Sequence, residues 1–305
     1  MRVLVTGGSG MVGSYLKEIN PQWIYLSSTD CNLLSIDGAL DCINAHNPEC
    51  VIHLAAKVGG IADNMNNPFE YYEQNVLLNT NIFRAVRTSK NVKQFIGILS
   101  TCAYQDESPV YPITEEMIYD GMPNVTNLGY GFSKRMLAME IDMARKNGMN
   151  YSYIIPSNLY GKYESGNFFS KHFIGALIDK IIEAEENGSN YITLFGDGTP
   201  IRQFTYAGDV ARLIDMMVKN RITENINVSI EQPLSVHEIA KLALEATGNN
   251  NLEIRYDTTM PNGQHRRDVS IEKLKKVFPN FEFTSYIDGI RMTYEYTKTN
   301  KGKTK

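Results

Sequence analysis

Two short stretches hold side chains able to exchange a proton with a carbonyl substrate: Ser100-Thr101-Cys102 and Tyr130-Gly131-Phe132-Ser133-Lys134. If the second stretch is helical, Tyr130 and Lys134 stand one turn apart on one face and act on the same atom. A lysine ammonium beside a phenol favours the phenolate and lowers a pKa that starts at ~10, so the tyrosine would exchange a proton near neutrality. Ser100 would hold the substrate oxygen, and Cys102 brings a thiol to the same place. The spacing alone also suits a solvated helix face. The surrounding elements decide between the two readings.

In the first half of the chain, short β-branched runs alternate with longer amphipathic stretches, the pattern of a parallel sheet covered by helices. Strands are expected over 3–6, 23–27, 50–54, 95–100 and 151–156, with helices near 11–18, 36–46, 69–89 and 130–147. After Tyr160-Gly161 the pattern changes to longer loops, a helix over 171–186 and a strand over 191–195. The chain is expected to return to the first domain at Phe204-Thr205-Tyr206, with a helix from Asp209 and a strand over 225–228. A helix over 236–247, a strand over 252–256 and a final helix over 285–296 complete the pattern. The fold class is therefore α/β, a doubly wound parallel sheet of Rossmann type with a smaller, mostly C-terminal α/β domain. The division is interleaved: 1–162 and 203–232 for the dinucleotide, 163–202 and 233–305 for the substrate.

Bulk properties narrow the function. The 305 residues are 43% hydrophobic and 21% charged, ordinary for a globular protein and unlike a disordered or membrane chain. A net charge of −4 gives no reason to expect nucleic-acid binding. The strand signal at the first residue leaves no room for a signal peptide, and no apolar run approaches ~18 residues, so a cytoplasmic location is expected. Cys31, Cys42, Cys50 and Cys102 show no C-x-x-C spacing, which points to neither a disulfide framework nor a metal site.

Gly7-Gly8-Ser9-Gly10-Met11-Val12-Gly13 follows the first strand and opens a helix, the context a phosphate-binding turn requires. Gly7 would permit the tight turn, Gly10 the approach of the pyrophosphate, and Gly13 close packing of helix on strand. The second strand ends in Leu26-Ser27-Ser28-Thr29 rather than in a carboxylate. Hydroxyls and amides at Ser27 and Ser28 could hold a 2′-phosphate, which favours NADP(H). Asp30 falls late for a ribose contact, and Asn32 and Leu33 would flank the adenine or simply form the turn.

The motifs TGGSGMVGS at 6–14, VIHLAAKVGGI at 51–61, LSTCAY at 99–104, YGFSKRM at 130–136, PSNLYG at 156–161 and FGDGTPIRQF at 195–204 resemble those of the GDP-L-fucose synthase family, within the extended short-chain dehydrogenases/reductases. The resemblance spans almost the whole chain. It implies reduction of a 4-keto group on a GDP-4-keto-6-deoxy sugar, with Ser100, Tyr130 and Lys134 transferring the proton, and epimerisation at C3 and C5 by Cys102 and His172. That pairing is chemically sound. Hydrogens at both carbons are α to the C4 carbonyl, and inversion needs one group on each face of the ring. The resemblance further implies cofactor contacts from Gly7, Ser9, Gly10, Met11, Val12, Gly13, Ser27, Ser28, Asn32, Leu33, Leu54, Ala55, Ala56, Lys57, Leu99, Tyr130, Lys134, Pro156, Asn158, Leu159 and His172. Substrate contacts would come from Asn158, Lys180, Phe195, Arg202 and Asn262. Arg202 suits a pyrophosphate because its planar fork binds in two places. Arg266 and Arg267 either reach the nucleotide or form a solvated face. A homodimer through the helices over 69–89 and 130–147 is also implied.

Two segments depart from the family. After PSNLYG the chain runs Lys162-Tyr163-Glu164-Ser165-Gly166-Asn167-Phe168 where the family has a Pro-His-Asp-Asn-Phe-like segment, and Asn262 replaces a usual aspartate. These positions bear on the sugar rather than on hydride transfer. They leave room for a related GDP-4-keto-6-deoxy-heptose, with one carbon epimerised or none. A non-catalytic dinucleotide-binding protein would be expected to lose Tyr130 or Lys134, and a UDP-sugar 4-epimerase would not explain Cys102 with His172.

Overall fold

The computed structural model describes residues 1–164, 171–260 and 262–301. Of the first departing segment, Ser165, Gly166, Asn167 and Phe168 lie outside the described residues, as do Pro261 and positions 302–305.

The chain opens with β1 (Val3–Thr6), α1 (Met11–Ile19), β2 (Ile24–Leu26), α2 (Ile36–His46) and β3 (Cys50–His53). It continues through α3 (Ile61–Asn66), α4 (Pro68–Thr88), β4 (Gln94–Ile98), α5 (Leu128–Lys146), β5 (Tyr151–Pro156) and β6 (Asn158–Tyr160). Next come α6 (Phe173–Asn187), β7 (Tyr191–Phe195), β8 (Ile201–Arg202), β9 (Phe204–Tyr206), α7 (Ala207–Asn220) and β10 (Ile226–Val228). The chain closes with β11 (Leu234–Ser235), α8 (Val236–Thr247), β12 (Glu253–Asp257), β13 (Arg266–Arg267), α9 (Glu272–Val277) and α10 (Tyr286–Asn300).

Six parallel strands form the main sheet in the order β10-β5-β4-β3-β1-β2. β1, β3, β4 and β5 are buried along their whole length, as expected of strands covered on both faces. Alternate residues face two separate cores. Val3, Val5, Ile52 and Ile96 pack with residues of α1, α6, α7 and α8, while Leu4, Val51, Phe95 and Tyr151 pack with residues of α2, α4 and α5. The strand order reverses between β1 and β3, so a crevice opens beyond their carboxyl ends, where ligands of open α/β sheets sit.

The expected elements are present, with shifted ends. β2 is confined to 24–26, and α5 begins two residues ahead of Tyr130. β9 pairs in parallel with β6 in a separate two-stranded sheet, and it is β10 that joins the main sheet. The two-residue strands β8, β11 and β13, too short for a period-2 signal, form a sheet that places Arg202 beside Arg267. Helix ends carry their own signals: Ser235 and Glu238 make a capping box on α8, and Gly188 and Gly248 close α6 and α8 in the left-handed conformation.

Candidate active site

The first turn is built by close approach. Gly7 has φ +68°, and a Cβ there would lie 2.6 Å from the Ala55 backbone nitrogen, so β1 and the segment after β3 meet only with glycine at this point. Gly10 precedes α1 without any side-chain cap, leaving the first amides of the helix open. Leu54, Ala55, Ala56 and Lys57 continue from β3 along the crevice. The backbone of Lys57 is clamped by Asn75, whose Oδ1 accepts from its N–H at 2.9 Å and whose Nδ2 donates to its carbonyl at 3.0 Å. The Lys57 ammonium is paired with Glu70. At the end of β2, Ser27 is already engaged: its N–H and hydroxyl donate to Asp30 Oδ2 at 2.8 and 2.6 Å. Those bonds hold the Asp30 carboxyl below its usual range. Of the two serines expected to meet a 2′-phosphate, Ser27 is therefore committed elsewhere.

Beyond β4 the candidate groups Ser100, Cys102, Tyr130 and Lys134 converge. Ser100 caps a 3₁₀ turn over Thr101–Ala103, accepting from the Cys102 N–H at 3.2 Å. Helix α5 packs tightly on this turn. A Cβ at Gly131 would stand 2.5 Å from the Cys102 carbonyl oxygen, which explains a glycine directly after Tyr130. A hydrogen-bond chain fixes the helix laterally: Thr6 Oγ1 to His53 Nδ1 at 2.8 Å, His53 Nε2 to Asn79 Oδ1 at 3.0 Å, and Asn79 Nδ2 to the Ser133 carbonyl at 3.1 Å. Burial pushes the His53 imidazole down to about 3, the Lys134 charge adding to the effect, so it is neutral at this junction.

The expected lowering of the tyrosine by Lys134 is not what the structure shows. Lys134 is buried, its Nζ donates to the Ile98 carbonyl at 2.9 Å, and it stands 5.7 Å from the Tyr130 ring centroid. Burial raises the Tyr130 phenol well above its ordinary value, Cys102 raises it further, and only the hydrogen bond with Ser100 opposes them. Burial also pulls the Lys134 ammonium down to about 8. Tyr130 is thus a protonated phenol at neutral pH, the form a proton donor must have.

The NAD dependent epimerase/dehydratase family matches residues 3–229. The GDP-L-fucose synthase of Dictyostelium discoideum is 33% identical over 305 aligned residues, covering 96% of this chain and 94% of that protein. The GDP-L-colitose synthase of Yersinia pseudotuberculosis is 30% identical and covers 99% of both. A crystal structure of a GDP-L-fucose synthetase from Naegleria fowleri bound to NADP superposes with a TM-score of 0.85 at 29% identity, covering 98% of this chain and 94% of that one. The chain belongs to the NAD dependent epimerase/dehydratase family, in its GDP-L-fucose synthase branch. It is an enzyme of that epimerase/reductase family, with the α/β fold its members share. Among the described residues no helix is long and apolar enough to cross a membrane.

The remaining positions implied by the family resemblance fall into three groups. Arg202 and Arg267 stand beside Cys102: Arg267 Nη1 donates to Cys102 Sγ at 3.2 Å, and Arg202 donates to the carbonyls of Ile201, Gln264 and His265. Burial pulls the Arg202 guanidinium down to about 10, Arg267 adds to this, and Cys102 opposes it. Asn158, after Pro156 and before Leu159, donates to the Gln203 carbonyl at 3.2 Å. A second group lies further out. Lys180 Nζ stands 4.8 Å from the ring centroid of the half-exposed Phe195, and Asn262 Oδ1 accepts from the Asp197 N–H at 2.8 Å. Arg266 is the third case: it pairs with Asp268 at 2.6 Å and stacks on Tyr111, a surface arrangement that does not bring it to Cys102.

His172 caps α6 and has a partner that the sequence did not reveal. Glu164 Oε1 accepts from both its N–H and its Nδ1, each at 2.7 Å, so the carboxylate orients the ring. A carboxylate eight residues away along the chain leaves no periodic signal. Three further residues were not legible for the same reason: Asn127, which donates to Cys102 Sγ at 3.1 Å; Gln264, which joins the two arginines; and buried Arg135, which ties the Ala103 carbonyl to those of Asp120 and Gly121.

Proposed function

We propose that this chain reduces the C4 keto group of a GDP-4-keto-6-deoxy sugar with NADPH, after exchanging protons at C3 and C5. The observation that carries the reading is the convergence of Ser100, protonated Tyr130 and Cys102 at one strand end, with Lys134 buried behind them. The first turn suits the cofactor. An uncapped helix start is an anion site, and at Gly10 a Cβ would meet, among the described residues and apart from its chain neighbours, only the Gly7 carbonyl oxygen at 3.3 Å. The open amides at the start of α1 would hold the cofactor's diphosphate, and the chemistry it would supply there is hydride transfer.

The residues then divide the work. Tyr130 gives its proton to the C4 oxygen while Ser100 orients that oxygen, and both stabilise the enolate formed when a neighbouring C–H is broken. Lys134 restores the proton balance behind Tyr130 and holds the nicotinamide ribose. Cys102 removes a proton from C3 or C5, and His172, oriented by Glu164, returns one to the opposite face. Arg202 and Lys180 take the diphosphate, and Phe195 packs on the guanine. Ser28 and nearby amides take the 2′-phosphate, since Ser27 is held by Asp30. In this reading, residues 1–162 and 203–232 carry the dinucleotide, while 163–202 and 233–305 carry the sugar nucleotide. Exposed Phe69, Tyr72, Leu77, Met139 and Met143 on α4 and α5 form the homodimer face, which sedimentation would test.

Incubation with NADPH and GDP-4-keto-6-deoxymannose is expected to consume NADPH and yield a 4-hydroxy sugar. Absence of NADPH oxidation would sink the assignment. Repeating the reaction in deuterated water locates label at C3, C5, both or neither. Label at neither carbon leaves a plain 4-reductase, the activity expected if the natural substrate is a related heptose.

A further inference from the structure

Cys102 has a set of neighbours that hydride chemistry does not require. Arg267 Nη1 and Asn127 Nδ2 point N–H groups at the sulfur from 3.2 and 3.1 Å. Asn127 Oδ1 is buried with no partner among the described residues, so the bond to the sulfur is the side-chain hydrogen bond this amide makes among them. A neutral thiol is a weak donor and a weak acceptor, whereas a thiolate is a charged acceptor that takes two such bonds well. Arg267 is itself braced: its Nε donates to Gln264 Oε1 at 2.5 Å, and the Gln264 amide is anchored on the Asp106 carbonyl.

We propose that Arg267 is the positioning residue that keeps Cys102 as a thiolate, with Asn127 as the second donor. The groups facing the sulfur are consistent in sign. Tyr130 from α5 is a neutral phenol, Ser100 is a hydroxyl, and Arg202 from β8 is a second guanidinium. The nearby carboxylate of Asp106 is turned to Asn124 Nδ2 at 2.6 Å. What the thiolate does rests on the function proposed above: it takes a proton from the carbon next to the ketone, the C–H bond breaks, S–H forms, and the electron pair passes to the C4 oxygen. That the thiolate exists does not rest on it.

Alkylation of the full chain with iodoacetamide over a range of pH, read at Cys102 by peptide mass spectrometry, tests the proposal with Cys31, Cys42 and Cys50 as internal references. At neutral pH, Cys102 in Arg267→Gln is expected to react more slowly by on the order of tenfold, as loss of a charge-assisted bond implies. Its pH profile should move to the alkaline side, and Arg267→Lys should restore most of the rate. Asn127→Asp, which sets a negative charge beside the sulfur, gives an independent arm and should also slow the reaction. Unchanged rates and profiles in Arg267→Gln and Asn127→Asp would overturn the proposal. If the profiles shift while wild-type protein exchanges no C–H proton in deuterated water, the thiolate stands and the epimerase reading alone fails.

Discussion

Tyr130 and Lys134 ride on one helix laid along the central sheet, and their partners, Ser100 and the Ile98 carbonyl, come from the strand end beside it. Cys102, Arg202, Arg267, Glu164 and His172 come instead from separate turns and strand ends, four of them in the part of the chain beyond β5. In the first group Lys134 is fully buried and Tyr130 and Ser100 partly so, and desolvation sets the protonation states of the lysine and the tyrosine. The second runs from partly buried Cys102, Arg202, Arg267 and Glu164 to exposed His172 and depends on charge partners brought together from distant positions. In the proposed function, reduction would be the work of the helix and strand end at the central sheet, and the steps at the sugar's other carbons would fall to the segments outside it.

The sharpest break in this comparison is Tyr130→Phe. It should cut NADPH oxidation by about 10²–10⁴-fold and slow proton exchange at the sugar carbons by less, because general acid catalysis is lost while Cys102 stays in place and Ser100 still bonds the enolate oxygen. Equal loss of both, measured by absorbance and by deuterium incorporation, would show that the two regions are not separable.

Next in size is a stability effect of the buried lysine. Its folded pKa, about 8, lies below its unfolded value, so the native state resists carrying the charge and the unfolded state binds more protons between the two values. The penalty is full below about pH 8 and is relieved as pH rises towards ~10.4. Lys134→Met should therefore be inactive yet more stable than wild type at pH 7 by up to about 3 kcal/mol, with the gap closing by pH 10. Urea unfolding at the two pH values reads this directly, and an equal gap at both would refute it.

Smaller effects belong to the open region. Arg202→Lys loses bidentate geometry, and KM for the sugar nucleotide should rise roughly tenfold or more with kcat little changed. A fall in kcat alone would move Arg202 from binding into the chemistry. Glu164→Gln keeps the shape beside His172 but removes the charge, and should slow C–H exchange by about tenfold with NADPH oxidation less affected. If exchange is unaltered, the carboxylate merely caps α6.

The same division explains what the sequence made legible. The strand-turn-helix around Gly7, the Tyr130 and Lys134 pair, and the buried strands announce themselves through local spacing, because period and chain direction alone fix them. Arg267 could not be placed by that means. Its role follows from β13 pairing with β8, and two-residue strands have no readable period. Nor was the tyrosine's protonation readable, since counting a lysine one turn away ignores the desolvation that dominates in the folded state. Ser27 likewise looked available until Asp30 folded back onto it.

Three hydrogen bonds from the first helix reach towards the second region. Tyr15, on the first helix, donates to the Tyr206 hydroxyl and accepts from the Lys162 N–H, each at 2.8 Å, and Glu18 one turn later holds Tyr163. The helix whose start would receive the dinucleotide thus grips the chain immediately ahead of Glu164, the residue that aims His172. Filling the nucleotide crevice should steady the histidine arm before any sugar arrives. The kinetic signature would be compulsory order, with NADPH entering first and NADP⁺ leaving last, and product inhibition that is competitive between those two; random order would show that the grip does not govern the cycle.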